Sequence, residues 1–412
     1  MGSLDDIFHA EWSRSVAWMM RQSGDLQMAE DCVQDAFVAA SVIWLRDGFP
    51  DNPGAWIRTV AKRKLIDKAR QLNTVRNAQQ ALAYETASPT PEMEFHESQD
   101  ISDDELALIF MCCHPAISAT DQVMLTLRLV AGLPPVEIAT AFFYKKEAVR
   151  TRLLRAKRKI RDANIPFRIP PLAEQDRRLN SVLAAIYLIF NEGYLPVRGP
   201  SLQRRDLTRE AIRLSRLVCT LAPNSTESQG LLALLLFTDA RSPARISKDG
   251  DLVPLTRQIR SEWHSEQIRE ALSVLEQLVE PHKEGLYTLQ ARVAAQHAIA
   301  GTFEDTNWKN IVAYYDRMMA IEATDVIKLN RAVALGYAGW PDDGMAQLEE
   351  LAGSKVALGM GYLSAQAELY LLSGNKGAAL QCFQKVRDQQ ESEGIRRAID
   401  RRIAEIETPT DR

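Results

Sequence analysis

Four polar side chains stand close together in the stretch Ala29-Glu30-Asp31-Cys32-Val33-Gln34-Asp35-Ala36-Phe37-Val38-Ala39-Ala40. At helical spacing Ala29, Val33, Ala36, Phe37 and Ala40 form one apolar stripe, and Glu30, Asp31, Gln34 and Asp35 fall largely off it. A compact acidic face of this kind does no covalent chemistry. It either pairs with a basic partner surface or is solvated. A second stretch, residues 51–67, reads D-N-P-G-A-W-I-R-T-V-A-K-R-K-L-I-D. Asn52 suits an N-cap and Pro53 the first helical position. At 100° per residue Arg58, Lys62, Arg63 and Arg70 share one arc of about 140°. Trp44, Phe49 and Trp56 precede or flank that arc. Cations hold phosphates and flat side chains stack on exposed bases, so the combination suits DNA. The alternative is a solvated basic arc beside core aromatics, and Trp56, inside the amphipathic helix, is expected in the core.

A third stretch, residues 133–157, scans as a helix-turn-helix with its turn near Phe143-Tyr144, lacking the usual glycine. Ile138, Ala139 and Phe142 are spaced to pack the first helix, Val149 and Leu153 the second. The second helix presents Lys145, Lys146, Arg150, Arg152 and Arg155, suited to phosphates and to guanine edges in a major groove. A merely solvated basic helix is the alternative.

Other chemistry is not signalled. The five cysteines show no C-x-x-C spacing, and the cluster Cys112-Cys113-His114 lacks a fourth ligand, so buried packing is expected there, with no metal and no cofactor. There is no H-E-x-x-H, P-loop or nucleophile elbow, so an enzyme is not expected; His264 and His297 are isolated and read as surface or packing residues. No apolar run approaches the roughly 20 residues of a membrane span, and a reducing cytoplasm without membrane attachment is expected.

The elements that position these residues are helical. Among 412 residues, 46% are hydrophobic and 25% charged, strand signals are scarce, and the fold class is all-α. The net charge of −4 hides blocks. Residues 55–76 hold seven Lys/Arg and one acid, residues 144–161 hold nine and one, and residues 77–104 hold seven acids and no Lys or Arg. The expected domains are a helical bundle at 1–75, an acidic linker at 76–104, the helix-turn-helix domain at 105–167, and a helical extension at 168–412, with Pro166, Pro170 and Pro171 at the last boundary. Two helix pairs are expected in the extension, 308–321 with 326–337 and 362–372 with 376–389, turning at Gly374-Asn375. The pair length is near that of tetratricopeptide repeats; an irregular bundle is the alternative.

Taken in order, the acidic-faced helix, aromatic loop, N-P-x-A-W basic helix, acidic linker and helix-turn-helix ending in R-A-K-R-K-I-R resemble regions 2 and 4 of the extracytoplasmic-function sigma factors. The stretch Ile186-Tyr187-Leu188-Ile189-Phe190-Asn191-Glu192-Gly193-Tyr194 resembles the start of the long, tetratricopeptide-like extension of one subgroup. The resemblance implies that the partners are core RNA polymerase, through its β′ clamp and β flap, and promoter DNA. It implies that Glu30, Asp31, Gln34 and Asp35 dock on the clamp, that Trp44, Phe49, Arg58, Lys62, Arg63 and Arg70 serve the −10 side, and that Lys145, Lys146, Arg150, Arg152 and Arg155 read the −35 element. The linker would occupy the RNA channel, and the extension would regulate or support the sigma half and take a protein or peptide ligand. The rival expectations are a helix-turn-helix regulator that never joins polymerase, and a repeat scaffold with a relic front half.

Overall fold

The computed structural model describes residues 4–81, 101–142, 144–194, 204–278, 284–390 and 393–408. It separates into two compact units, Met1–Ile189 and Phe190–Arg412. Every named element among the described residues is helical, and pairing of extended backbone is confined there to one isolated bridge, Ile246 with Leu252. The all-α reading therefore holds. Among the described residues no helix is long and apolar enough to cross a membrane, and no group of three or more His, Cys, Asp or Glu is placed to hold a metal ion.

The first unit opens with α1 (Leu4–Ser23), α2 (Leu26–Asp47) and α3 (Pro53–Ala81), which pack on one another. Their ends follow local chemistry. Asp25 caps α2 by accepting from the Met28 N–H at 2.8 Å, and Gly48, at φ 85°, ends it with its N–H on the Trp44 carbonyl. Asn52 Oδ1 accepts from the Ala55 N–H at 3.0 Å at the start of α3. The stripe Ala29, Val33, Ala36, Phe37 and Ala40 is buried, and Phe8 bridges Trp12 and Phe37 with ring centroids 5.1 and 5.0 Å away.

Next come α4 (Ile101–Cys112), α5 (Ala119–Leu125), continued by a π-helical stretch Thr126–Val130, then α6 (Pro135–Ala141), α7 (Lys146–Asp162) and α8 (Leu172–Tyr194). The expected linker, 76–104, is narrower in the structure: α3 runs to Ala81 and α4 starts at Ile101, while residues 82–100, with Tyr84, Met93 and Phe95, lie outside the described residues. The reason at the far end is burial. Asp104 and Glu105 are 1% and 3% exposed, held by Arg21 and by Ser13 with Arg14, so these acids are internal charges of the unit. Cys112 and Cys113 are buried; Cys113 Sγ lies 3.4 Å from Thr126 Oγ1, and burial pushes its thiol up to about 11. The prolines after α7 turn the chain without ending the unit: Arg178 of α8 donates to the Phe110 carbonyl at 2.8 Å, and Leu179, Val182, Leu183 and Ile186 are buried.

The second unit stacks α9 (Arg205–Leu221), α10 (Thr226–Ala240), α11 (Ser265–Glu276), α12 (Leu286–Ile299), α13 (Trp308–Ile321), α14 (Asp325–Tyr337), α15 (Pro341–Glu350), α16 (Met360–Leu372), α17 (Lys376–Gln389) and α18 (Glu393–Glu407). Each helix packs on the next, and α10 on α12 and α14 on α16, the connectivity of a stacked array. The two expected helix pairs are present, with Gly374 at φ 78° and Asn375 capping the Ala378 N–H. Small residues let backbones approach: a Cβ at Gly230 would stand 2.6 Å from the Thr288 Cα of α12, and one at Gly344 2.5 Å from the Ala332 carbonyl of α14. The array is tied end to end by charge, because Asp251, in the excursion between α10 and α11, takes Arg397 at 2.5 Å and Arg401 at 2.9 Å from α18.

Candidate nucleic-acid interface

The four polar residues of α2 separate into different environments. Glu30 is 5% exposed and lies between two cations from beyond α4: Arg128 Nε at 2.5 Å from Oε1, and Lys157 Nζ on Oε2. Arg128 also donates to Gln34 Oε1 at 3.0 Å and to the Leu133 carbonyl at 3.3 Å, and its guanidinium carbon is 5.3 Å from the Trp12 ring centroid. Asp35 pairs with Lys68 at 3.1 Å, and Asp31 accepts from Gln27 Nε2 at 2.9 Å. Burial pushes the Asp31 carboxyl above its ordinary range, against the pull of Lys68. The sequence expects one acidic surface of four groups. The structure places Glu30 inside, and leaves Asp31, Gln34 and Asp35 lining the outer face.

Spacing along α2 reveals a surface that the acidic residues had hidden. Val38, Val42 and Leu45 are 60%, 68% and 87% exposed, and Phe49 follows, also exposed. With Asp31 and Asp35 they continue a three-and-four repeat, 31, 35, 38, 42, 45, 49, along one side of the helix. A second apolar stripe at this spacing is visible in the sequence once the core stripe has been assigned.

The aromatic group at the end of α2 is internal on one side and open on the other. Trp44 is 5% exposed, and its ring lies 5.2 Å from Trp56 and 5.6 Å from Phe49. Phe49 is 38% exposed and Trp56 half-buried, so Phe49 is the ring of the three most open to a ligand. On α3, Arg58 is held by Glu11 at 3.0 Å, Lys62 is half-buried, and Arg63 and Arg70 are exposed.

Between α6 and α7 lie Phe142, Tyr144 and Lys145, with Phe143 of the expected turn outside the described residues, and Ile138, Ala139, Val149 and Leu153 are buried as the spacing requires. Lys145, Lys146, Arg150 and Arg155 are exposed on the outside of α7. Arg152 differs: it pairs with Asp121 of α5 at 2.9 Å and lies over the Tyr144 ring at 5.8 Å, so it braces the turn. Lys146 and Arg150 also face Asp31 and Gln34 across a groove of about 640 Å³. The face thus presents a row of exposed cations on one helix, chemistry suited to an anionic partner.

Comparison with known proteins follows the same division. The family described as "Sigma-70 region 2" matches residues 9–74, spanning most of α1, α2 and the described side chains of α3. A family of unknown function, DUF6596, matches residues 178–279, from within α8 past α11. "Uncharacterized protein R00370" of Rhizobium meliloti is 37% identical over 345 residues, covering 81% of this chain and 79% of that protein. The "Probable ECF RNA polymerase sigma factor SigI" of Mycobacterium tuberculosis is 26% identical over 174 residues, 41% of this chain and 59% of that protein. No solved structure matches.

Proposed function

We propose that this chain, which belongs to the same family as the Rhizobium meliloti protein and carries a sigma-70 region 2, binds core RNA polymerase and directs promoter-specific transcription initiation as an extracytoplasmic-function sigma factor. One observation carries the reading: within a single unit, a region 2 domain with an acidic-to-apolar seam on α2 is followed by the helices α6 and α7, the outer of which bears unpaired cations. A seam at 31, 35, 38, 42 and 45 suits docking against a partner helix, with Asp31 and Asp35 meeting basic residues and Val38, Val42 and Leu45 meeting apolar ones. In this reading the clamp helices of the β′ subunit are that partner. Phe49, Arg63 and Arg70 serve the −10 side, and Lys145, Lys146, Arg150 and Arg155 read the −35 element. Arg58 and Arg152 hold their helices in place through Glu11 and Asp121. Because Lys157 of α7 is bonded to Glu30 of α2, engaging two separate promoter elements parts these helices.

The array of helix pairs in the second unit is read as a tetratricopeptide-like extension that supports the sigma half. A truncation that tests this removes residues after 203, because α8 up to Ile189 belongs to the first unit.

The decisive test is run-off transcription with core polymerase on genomic promoter fragments. Discrete transcripts that require this chain, and that vanish when Asp31 and Asp35 are both replaced by Lys in a variant with unchanged helical circular dichroism, are the expected result. Footprints on DNA without core enzyme, and no transcripts with it, would instead identify a regulator that works without polymerase.

A further inference from the structure

In the excursion between α10 and α11, residues 241–264, three arginines lie against two aromatic rings. The guanidinium carbons of Arg260 and Arg241 lie 4.2 and 5.6 Å from the centroid of the same indole, Trp263. Arg245 is 5% exposed, lies over the Tyr194 ring at 3.8 Å and donates to the Tyr194 carbonyl. Arg241 donates to Gln258 Oε1 at 3.2 Å. Among the described residues no carboxylate reaches ion-pair distance of any of the three; Glu304 is felt by Arg260 from farther away. Four nitrogens of this neighbourhood are shielded from solvent and have no hydrogen-bond partner: Arg260 Nε and Nη2, Trp263 Nε1 and His297 Nδ1. Burial, then Arg241 and Arg260, push the His297 imidazole down to about 4.

A guanidinium cannot escape burial by losing its proton, as a lysine or a carboxylate can. Buried charges are therefore paired, and buried donors almost always find acceptors. One buried cation, Arg245, two half-buried ones, Arg241 and Arg260, and orphaned donors on Arg260 and Trp263 have no anionic acceptor among the described residues. The rest of the unit shows the usual solution: Glu284 takes Arg292 and Arg317, and Asp251 takes Arg397 and Arg401.

We infer that Arg241, Arg245 and Arg260 form a binding site for a small phosphoryl group. A tetrahedral dianion offers three oxygens to three guanidiniums, where a single carboxylate offers two oxygens and one charge. Trp263, over which Arg241 and Arg260 lie, also walls a neighbouring cavity of about 520 Å³ that none of the three arginines lines and that is bounded further by Arg205, Arg209, Ser242, Asp239 and Glu266. That space accommodates the body of a small phosphorylated metabolite, its cations reinforcing the site and its acids suiting hydroxyls. The site belongs to the extension and does not rest on the sigma-factor reading; a chain unable to direct polymerase would still bind.

The competing explanation is aromatic packing of the arginines, and the two differ in sign. The test uses the full chain with inorganic phosphate, pyrophosphate or malonate, each against sodium chloride at matched ionic strength, read by titration calorimetry and unfolding midpoint. Phosphate and pyrophosphate are expected to bind saturably and raise the midpoint, with malonate about tenfold weaker or worse. Arg260→Gln is expected to weaken binding by about tenfold or more while leaving the anion-free midpoint unchanged or higher, since a like charge has been removed. Arg241→Gln gives the same pattern and serves if the first variant does not fold. Arg158→Gln, on the exposed side of α7, keeps the response. The inference is overturned if no anion outperforms chloride, if malonate binds as well as phosphate, or if both glutamine variants lose stability yet retain the full response.

Discussion

Guanidinium groups withdrawn from solvent meet opposite electrostatic conditions in the two units, Arg128 and Arg245 being buried and Arg241 and Arg260 half-buried. In the first unit Arg128 is enclosed with its counter-charge: Glu30 between it and Lys157, Gln34 and the Leu133 carbonyl on the remaining donors. In the second unit Arg241, Arg245 and Arg260 are enclosed with each other, around Trp263 and Tyr194. The first network is complete within the chain and acts to hold α2, the π-helical stretch and α7 together. The second is incomplete within the described chain. A buried charge whose partner is present is evidence about architecture; one whose partner is absent is evidence about a ligand.

The sharpest way to break this comparison is to remove the carboxylate from the complete network. Glu30→Ala strands Arg128 and Lys157 in a buried site, and breaking a buried pair by one partner typically costs about 3–5 kcal/mol. The expected outcome is a loss of that order in the urea unfolding of the first unit. Removing an arginine from the second cluster has the opposite sign. If Glu30→Ala is as stable as the parent protein, the network does not hold the helices together.

Acid separates the two groups next. The neutral imidazole of His297 is held beside Arg241 and Arg260, with its folded-state value near 4 against about 6.5 unfolded. Below pH 6.5 the unfolded chain takes up a proton that the folded chain refuses. The contribution of this residue to stability is therefore constant above about pH 6.5, falls as pH drops toward 4, and levels off below. The fall amounts to roughly 3 kcal/mol at most. Unfolding midpoints across this window should show it, His297→Gln should remove it, and Arg241→Gln should shrink it by withdrawing one neighbouring charge.

The same contrast explains what was legible in the sequence. Local patterns carried over: the stripe Ala29, Val33, Ala36, Phe37 and Ala40 is core, and the helix pairs of the second unit begin and end close to where capping and turn residues place them. Glu30 reads as surface because a carboxylate at the edge of an apolar stripe is normally solvated, while the cations that let it be buried lie 98 and 127 positions away in sequence. Asp104 reads as linker charge for the same reason, its partner Arg21 being on α1. Arg241, Arg245 and Arg260 carry no motif; only the turns of residues 241–264 bring Arg241 and Arg260 to the Trp263 indole, with Arg245 over the Tyr194 ring. Where charge pairs across a hundred residues, one-dimensional spacing has no access to it.

Exposed cations supply a third and smaller effect, on binding alone. Arg150→Ala and Arg155→Ala should change stability by less than about 0.5 kcal/mol, because both side chains are exposed and unpaired among the described residues. If one of them reads a base edge, its loss should cost about 1–3 kcal/mol and relax preference at one promoter position; if it holds a phosphate, binding should weaken on every sequence and the salt dependence should flatten. Arg152→Ala should behave unlike both, lowering stability through the lost Asp121 pair. Filter binding of holoenzyme to promoter variants, beside unfolding curves, distinguishes the three.

The smallest expected effect is also the most local, and it tests the paired half of the comparison inside the second unit. Asp251 is 4% exposed at its side chain and accepts from Arg397 and Arg401, two positions one turn apart on α18. The hydrogen bond from Arg397 in first place, helped by both positive charges, holds its carboxyl below the ordinary range. Such a group favours folding at neutral pH, and this contribution is lost as pH falls through its lowered value. Asp251→Asn keeps the shape and removes the charge, leaving Arg397 with Glu393 at 3.7 Å and Arg401 without its acid. The apolar contacts of α18, Ile399, Ile403 and Ile406 against Phe383 and its neighbours, are untouched, so the helix should stay docked and open more often. Amide exchange should accelerate over Glu393–Glu407 and stay unchanged in α12 through α14. Uniform acceleration throughout the array would mean that Asp251 supports the whole unit rather than its terminal helix.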